Sequence, residues 1–271
     1  NDASPDGTKD ILEKILNKNK SIISLYNFKV NIGGLKNINY LLKKASGQYI
    51  LIVEGDDLLS QNDHLINCVK FLDHDKEFGF VSSGSQILQN GTLKLNPLNK
   101  YINFDLKFSA LTFGNYIQMG TVVFRKELFK KFPNYFFDLY FADWPLLFEL
   151  LNKKKGKYFG DRRFFIYRLH DGGVWSSLSN LKQVNNTISS LEKIIPQANF
   201  DENKKNKLKQ YLDFLYLKEF LINLNDKLNK KKILFSFIKN KPYTFYIHLF
   251  LFFLRRFHMY VTLNILRLFG R

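Results

Sequence analysis

Apolar residues recur along this chain with two different periods, and the period changes several times before residue 176. Ile11, Leu12, Ile15 and Leu16 follow Thr8 at helical spacing, so a helix capped by Thr8 is predicted there. Residues 21–26 (SIISLY) read as a short buried strand. Residues 36–45 return to helical spacing through Ile38, Leu41 and Leu42, Gly47 stops that helix, and the unbroken run Tyr49 to Val53 predicts a strand. The pattern then predicts a helix over 65–72, a strand over 78–82, a strand over 121–124, a helix over 144–151 and a last strand over 164–167. Residues 84–116 show little periodicity beyond an Asn90-Gly91 turn signal and are expected to be a binding-loop region. Strands alternating with helices at this spacing predict an α/β fold with a parallel sheet.

Beyond residue 176 the strand signal stops. Leu208, Leu212, Leu215, Phe220 and Leu224 predict a helix through 203–228. Residues 242–254 are thirteen positions without Lys, Arg, Asp or Glu. That is short of the roughly 18 to 20 apolar residues needed to span a bilayer, so an interfacial helix is expected. The chain divides on this reading into an α/β unit over 1–176 and a helical basic extension over 177–271.

Charge sharpens that division. Lys and Arg number 41 against 24 Asp and Glu, a net of +17, of which residues 203–271 hold 15 against 3. A basic tail on a nearly balanced front suits an anionic surface, either lipid headgroups or nucleic acid. The aromatic residues at 245–254 cluster with aliphatic ones rather than interleaving with charges, which favours lipid. The alternative is a helical bundle in which Phe250 and its neighbours pack on residues 208–224. With 45% hydrophobic residues the chain is not a disordered one. One cysteine, Cys68, excludes a disulfide framework and a cysteine-based zinc site, and its place on an apolar helix face predicts a buried, inert thiol. No signal peptide or internal repeat is visible, and the opening Asn1-Asp2-Ala3-Ser4-Pro5-Asp6-Gly7 is turn chemistry, which leads us to expect an element before it.

The residues that carry chemistry begin with Glu54-Gly55-Asp56-Asp57, directly after the Tyr49 to Val53 run. The carboxyl end of a buried strand is where α/β sheets bind ligands, and clustered carboxylates repel unless a cation answers them. Oxygen-only ligands suit Mg2+ or Mn2+. A solvated acidic turn capping the next helix is the other reading. Asp143 is either the N-cap of the 144–151 helix or a catalytic group. Asn31-Ile32-Gly33-Gly34 with Lys36 and Asn37 is either a loop and cap or a phosphate site at a helix start. Trp144 and Trp175 are candidates for the core or for stacking on a sugar. Arg162 and Arg163 are expected on a charged hairpin edge, and Arg125 and Lys126 in solvent.

Together these segments resemble a known family. The run NDASPDGT, the pattern N-x-G-G-x-x-N followed by A-S-G-x-Y-I, the strand ending in EGDD, Phe141-Ala142-Asp143-Trp144, and Tyr167-Arg168-Leu169-His170-Asp171-Gly172-Gly173-Val174-Trp175-Ser176 occur in the order seen in inverting family 2 glycosyltransferases of the GT-A fold, in the EGDD subgroup. The resemblance covers residues 1–176. It implies a mostly parallel GT-A sheet flanked by helices. It also implies that Asp2 contacts the nucleotide base, that Glu54 approaches the ribose, and that Asp56 binds metal. Asp143 is the implied catalytic base, and Arg168 and His170 close over the diphosphate, His170 also reaching the metal. Lys36, Asn37 and Asp57 are further expected donor contacts.

Four departures accompany the resemblance. Glu54 stands where Asp is commoner, Ala142 where Glu precedes the base, and Lys36 where Arg is usual, which keeps charge but loses the bidentate fork. The family's first strand and helix have no counterpart, so the resemblance implies an N-terminally truncated domain. The function implied is metal-dependent, inverting transfer of a sugar from a nucleotide-diphosphate donor to a glycan or lipid-linked acceptor in bacterial surface glycan synthesis. It would take place in the cytoplasm or at the inner membrane face, with an anionic membrane rather than nucleic acid as the tail's partner. The competing readings are an inactive binding protein of the same fold and a nucleic-acid binder.

Overall fold

Strand pairing decides which of the apolar runs become a sheet. The computed structural model describes residues 1–60, 63–96, 103–224, 239 and 241–269. Among these, seven strands form one sheet: β1 Tyr49–Leu51, β2 Leu58–Leu59, β3 Phe78–Gln89, β4 Thr92–Leu95, β5 Phe104–Leu106, β6 Val123–Arg125 and β7 Lys155–Leu169. Their order is β1-β6-β3-β7-β2, with β4 added on β3 and β5 on β7. The sheet is mixed. β3 and β7 run parallel, and every other pairing among the described residues is antiparallel. The expected mostly parallel sheet is corrected on this point. The segment 21–26 forms no strand, so β1 has no parallel neighbour from it. Ile22 is 81% exposed, because a run of β-prone residues becomes a strand only when a partner accepts its backbone bonds. Tyr26 and Phe28 instead exchange backbone bonds with Asn1.

The long β3–β7 pair is the spine of the fold, and it exceeds both expected strands. The region from residue 84 is therefore more regular than its sequence suggested. Asn90 and Gly91 both adopt positive φ, which is the turn that joins β3 to β4 as a hairpin. Phe80 pairs with Gly156 across the spine, and a Cβ at Gly156 would lie 2.2 Å from the Phe80 ring, so only glycine fits. Arg162 and Arg163 fall within β7 rather than on a hairpin edge, with Arg162 over the Phe159 ring. Arg125, expected in solvent, is buried and donates to the carbonyl oxygens of Phe78 and Leu72.

Helices cover both faces. On one lies α3 (His64–His74), whose Cys68 and Leu72 pack on Phe78, Val81 and Val123. Burial pushes the Cys68 thiol up to about 12, so it stays protonated. The larger cluster holds α2 (Gly34–Lys44), α4 (Phe108–Leu111) and α5 (Asp143–Lys153), with Leu42, Leu111, Trp144, Leu147 and Phe148 inside. The remaining amino-terminal helix, α1 (Thr8–Lys18), buries no side chain, and Thr8 is its first residue rather than its cap. The carboxyl-terminal helices α6 (Asn180–Gln197), α7 (Glu202–Leu224) and α8 (Tyr243–Phe269) add Ile188, Leu191, Leu208, Tyr211 and Phe252 to that same cluster. The expected helix over 203–228 ends at Leu224 in the described residues, and 225–228 lie outside them. Burying Phe252 alone contributes about 2 kcal/mol.

Candidate active site

Strand β1 delivers the chain to the acidic turn. After Leu51 the backbone leaves the sheet, the Asp57 amide donates to the Glu54 carbonyl at 3.2 Å, and β2 then pairs with β7. That pairing sets Leu58 opposite Ile166, so the end of β7 and the residues after it lie against the turn. The Arg168 amide donates to Asp57 Oδ1 at 3.0 Å, and Arg168 Nε donates to the Asp56 carbonyl. His170 Nε2 lies 3.1 Å from Asp56 Oδ2. Beyond it, a Gly173 amide and the Ser176 hydroxyl both donate to the His170 carbonyl, folding 170–176 into a closed turn. Two motifs 114 residues apart are thereby one structure.

The three carboxylates form a tight group. Glu54, Asp56 and Asp57 each offer an oxygen, and these atoms lie within 4.8 Å of one another. Crowding shows in their proton affinity. Glu54 is pushed up to about 7, first by desolvation and then by the charges of Asp56, Asp57 and Asp143. Its surface remains open to solvent, so water screens part of this repulsion. Asp57 is also raised by desolvation, opposed by the Arg168 amide. Three hard oxygen donors that repel one another are a donor set that fits a Mg2+- or Mn2+-type cation. His170, expected on the metal, lies outside that group of three, with its Nε2 against Asp56.

Asp143 opens α5, following Ala142 at the cap position. It is the only distant group among those that raise Glu54, which brings it within electrostatic reach of the acidic turn. Desolvation raises its own proton affinity, while the Trp144 amide and the Asn115 side chain hold it down. Asn115 Nδ2 donates to Asp143 Oδ2 at 2.6 Å, and Asn115 Oδ1 is fixed in turn by the Ile117 amide. The aromatic residues divide here. Trp144 is buried and donates to the Leu111 carbonyl, so it is core. Trp175 is 38% exposed and stands edge-on to Phe141, 6.1 Å from Tyr140.

Asp2, Lys36 and Asn37 gather elsewhere. Asp2 accepts the amides of Ile32 and Gly33 at 2.8 and 2.9 Å, one on each carboxylate oxygen. Gly33 has φ +88°, a left-handed turn that lets α2 start there, with Lys36 exposed in its first turn. Asn37 Oδ1 is buried with no hydrogen-bond partner among the described residues. No hydrogen bond or ion pair among those residues joins this group to the acidic turn.

Residues 1–132 match the model of glycosyl transferase family 2. Over that stretch the chain is similar to this family. The match spans the Asp2 segment, the α2 start and the acidic turn, while Asp143, Arg168 and His170 lie beyond it. Among curated relatives, an uncharacterized protein of Mycobacterium tuberculosis is 29% identical over 129 residues, 46% of this chain and 37% of that protein. An uncharacterized glycosyltransferase of Haemophilus influenzae is 28% identical over 141 residues, 49% of this chain and 52% of that protein. The chain thus spans between about a third and about half the length of these relatives. In fold, it resembles the S. aureus TarS 1-349 crystal structure in complex with UDP-GlcNAc, with a TM-score of 0.61 and 21% identity over 90% of this chain and 72% of that one. The chain has the mixed, helix-flanked sheet of the GT-A fold.

Sequence reasoning missed two residues of this site. Asn115 lies in the stretch without periodicity, and nothing in its neighbours points to Asp143. Tyr167 stands near the acidic residues, and its proton affinity is raised first by burial and further by the charges of Asp57, Glu54 and Asp56. In the sequence it stands only inside the Tyr167 to Ser176 motif, and alternation along β7 is the signal that places it.

Proposed function

We propose that this protein transfers a sugar from a nucleotide-diphosphate donor to an acceptor hydroxyl, with inversion at the anomeric carbon. The observation that carries this reading is the convergence of Asp143 with the Glu54–Asp57 turn, two acidic elements with different surroundings. Asp56, with Glu54 and Asp57, would hold a divalent cation, which supplies positive charge against the leaving diphosphate. Arg168 and His170, fastened to that turn, add positive and hydrogen-bonding groups on the same side. The buried Asn37 acceptor offers a partner for an N–H or O–H of the nucleotide.

Asp143 takes the acceptor proton as that oxygen attacks the anomeric carbon. A carboxylate of raised proton affinity is a better base than an ordinary one, and Asn115 keeps its oxygen aimed. Trp175 and Tyr140 present aromatic surface beside it for a glycan or lipid-linked acceptor. No protein nucleophile is required, since inversion is a single displacement. We place the reaction in the cytoplasm, in surface glycan synthesis.

The test is a hydrolysis and transfer screen of nucleotide sugars on the full-length protein, with Mn2+, Mg2+ or chelator. Turnover with one donor, lost on chelation, supports the reading. Donor binding without turnover by any acceptor favours a binding protein of the same fold. Salt-sensitive binding of any oligonucleotide without donor binding overturns it.

A further inference from the structure

Helix α8 carries apolar side chains on two opposite faces. Its inner face packs on the protein, where Phe252 is fully buried and stacks 4.5 Å from the Phe214 ring. Arg255 also turns inward, to Thr112 and Gln210, and lies over Phe113. The outer face carries Tyr243, Ile247, Phe250, Leu254 and Phe257. Their spacing of four, three, four and three makes one continuous stripe along a helix. All five are exposed, Phe250 by 66% and Phe257 by 67%. The alternative reading, that Phe250 and its neighbours pack on residues 208–224, holds for the neighbours Phe252 and Phe253, which meet Tyr211 and Phe214, while Phe250 itself stays exposed. Single exposed apolar residues are ordinary on a protein surface, but a row of five marks a contact surface.

Charge identifies what it contacts. From residue 227 to 271 the sequence has ten Lys and Arg and no Asp or Glu. Arg256 is exposed on the flank of the stripe, and Lys239 is exposed just before the helix. A second copy laid along the stripe would bring like charges together with no carboxylate on α8 to answer them. Anionic headgroups answer them. Among the described residues, no helix is long and apolar enough to cross a membrane, so α8 would lie along the surface.

We propose that α8 docks this protein on an anionic lipid bilayer, with the Tyr243 to Phe257 stripe entering the headgroup region and the basic residues meeting lipid phosphates. The same helix grips the segment that holds the candidate base. Arg255 donates to Thr112 and Phe252 packs on Phe113, two to three residues before Asn115. Docking therefore brings the bilayer to the part of the molecule that positions Asp143, the side from which a lipid-linked acceptor would arrive. This last point rests on the proposed sugar transfer, whereas the docking itself does not.

Full-length protein is sedimented with phosphatidylcholine vesicles, with and without phosphatidylglycerol. Anionic vesicles should bind it about ten-fold more strongly or better, and high salt should reverse part of that binding. The triple variant Phe250→Ser, Leu254→Ser, Phe257→Ser alters exposed positions and should keep its circular dichroism while losing vesicle binding. Should it fail to fold, a second measurement decides alone. Cys68 is buried, so Phe250→Cys can carry an environment-sensitive fluorophore. Its emission should shift to the blue on anionic vesicles, while the same label at Lys20→Cys should not move. Equal binding to both vesicle types, or an unshifted label at 250, overturns the proposal. So does a dimer in solution that the triple variant dissolves while vesicles bind neither protein. None of these readouts depends on catalysis, so failure of the sugar-transfer reading would leave them standing.

Discussion

The acidic turn and the Asp143 end of the site are built in opposite ways. The turn is four consecutive residues at the end of β1, and its charges crowd because the chain itself puts them side by side. Asp143 is a single carboxylate held by parts from three places: the first turn of α5, Asn115 in the loop after α4, and behind that loop the side chains of α7 and α8. Desolvation is the first cause in both regions, but only in the acidic turn do neighbouring carboxylates add to it, as the causes that raise Glu54 and Asp143 show. A cluster that repels itself is prepared for a cation. A lone carboxylate withdrawn from water and aimed by an amide is prepared for a proton.

The sharpest way to break this contrast is Asp143→Asn in the full-length protein. Transfer should fall by about 100-fold or more, the usual contribution of a general base, with donor affinity unchanged in calorimetry. Wild-type turnover would move the base elsewhere. Asp56→Asn should act on the other half. Metal-dependent donor binding should weaken by roughly ten-fold, about 1.4 kcal/mol, measured by titration calorimetry with Mn2+. If donor binding is untouched, the turn is not the cation site.

Asn115→Ala probes the support rather than the base. Its hydrogen bond lowers the proton affinity of Asp143, so removing it should raise that affinity further. Loss of aim should reduce kcat/KM by about ten-fold, and the acidic limb of the pH–rate profile should move to higher pH. A drop in rate with an unmoved limb would make Asn115 a packing residue only.

The smallest expected effect concerns stability without metal. Glu54 is raised from 4.5 to about 7, so the folded protein holds this proton more tightly than the unfolded chain. Stability should therefore fall as pH rises from about 4.5 through about 7. Glu54→Gln removes the titrating group, and its melting temperature should exceed wild type near neutral pH and match it in acid. Added Mn2+ should reverse the order. A difference that persists in acid would mean that packing, not charge, is responsible.

Much of the first region was legible in the sequence because its parts are local. The run Tyr49 to Val53 followed by Glu54-Gly55-Asp56-Asp57 is one strand and one turn, and its chemistry follows from residue types alone. The basic tail and its apolar helix were legible for the same reason. What the residues could not disclose was partnership. Nothing local distinguishes residues 21–26, which pair with no strand among the described residues, from Phe78–Gln89, which becomes the spine of the sheet. Nor does periodicity say that Arg255 turns inward while Arg256 stays in solvent, because that depends on Thr112 and Gln210 meeting it from elsewhere in the chain.

Composition, charge and motif order by themselves pointed to the family resemblance, and they determined the position of the acidic turn and the basic, apolar character of the carboxyl-terminal helices. Only the tertiary structure decided that Asn115 holds Asp143, that the Arg168–His170 segment is fastened to Asp56 and Asp57, and that Phe252 rather than Phe250 enters the core. The reason is the same in each case. Residue type sets what a side chain can do, but hydrogen bonds and burial between segments far apart in the chain exist only after β3, β7 and the helices have packed, and that packing is a property of the whole chain.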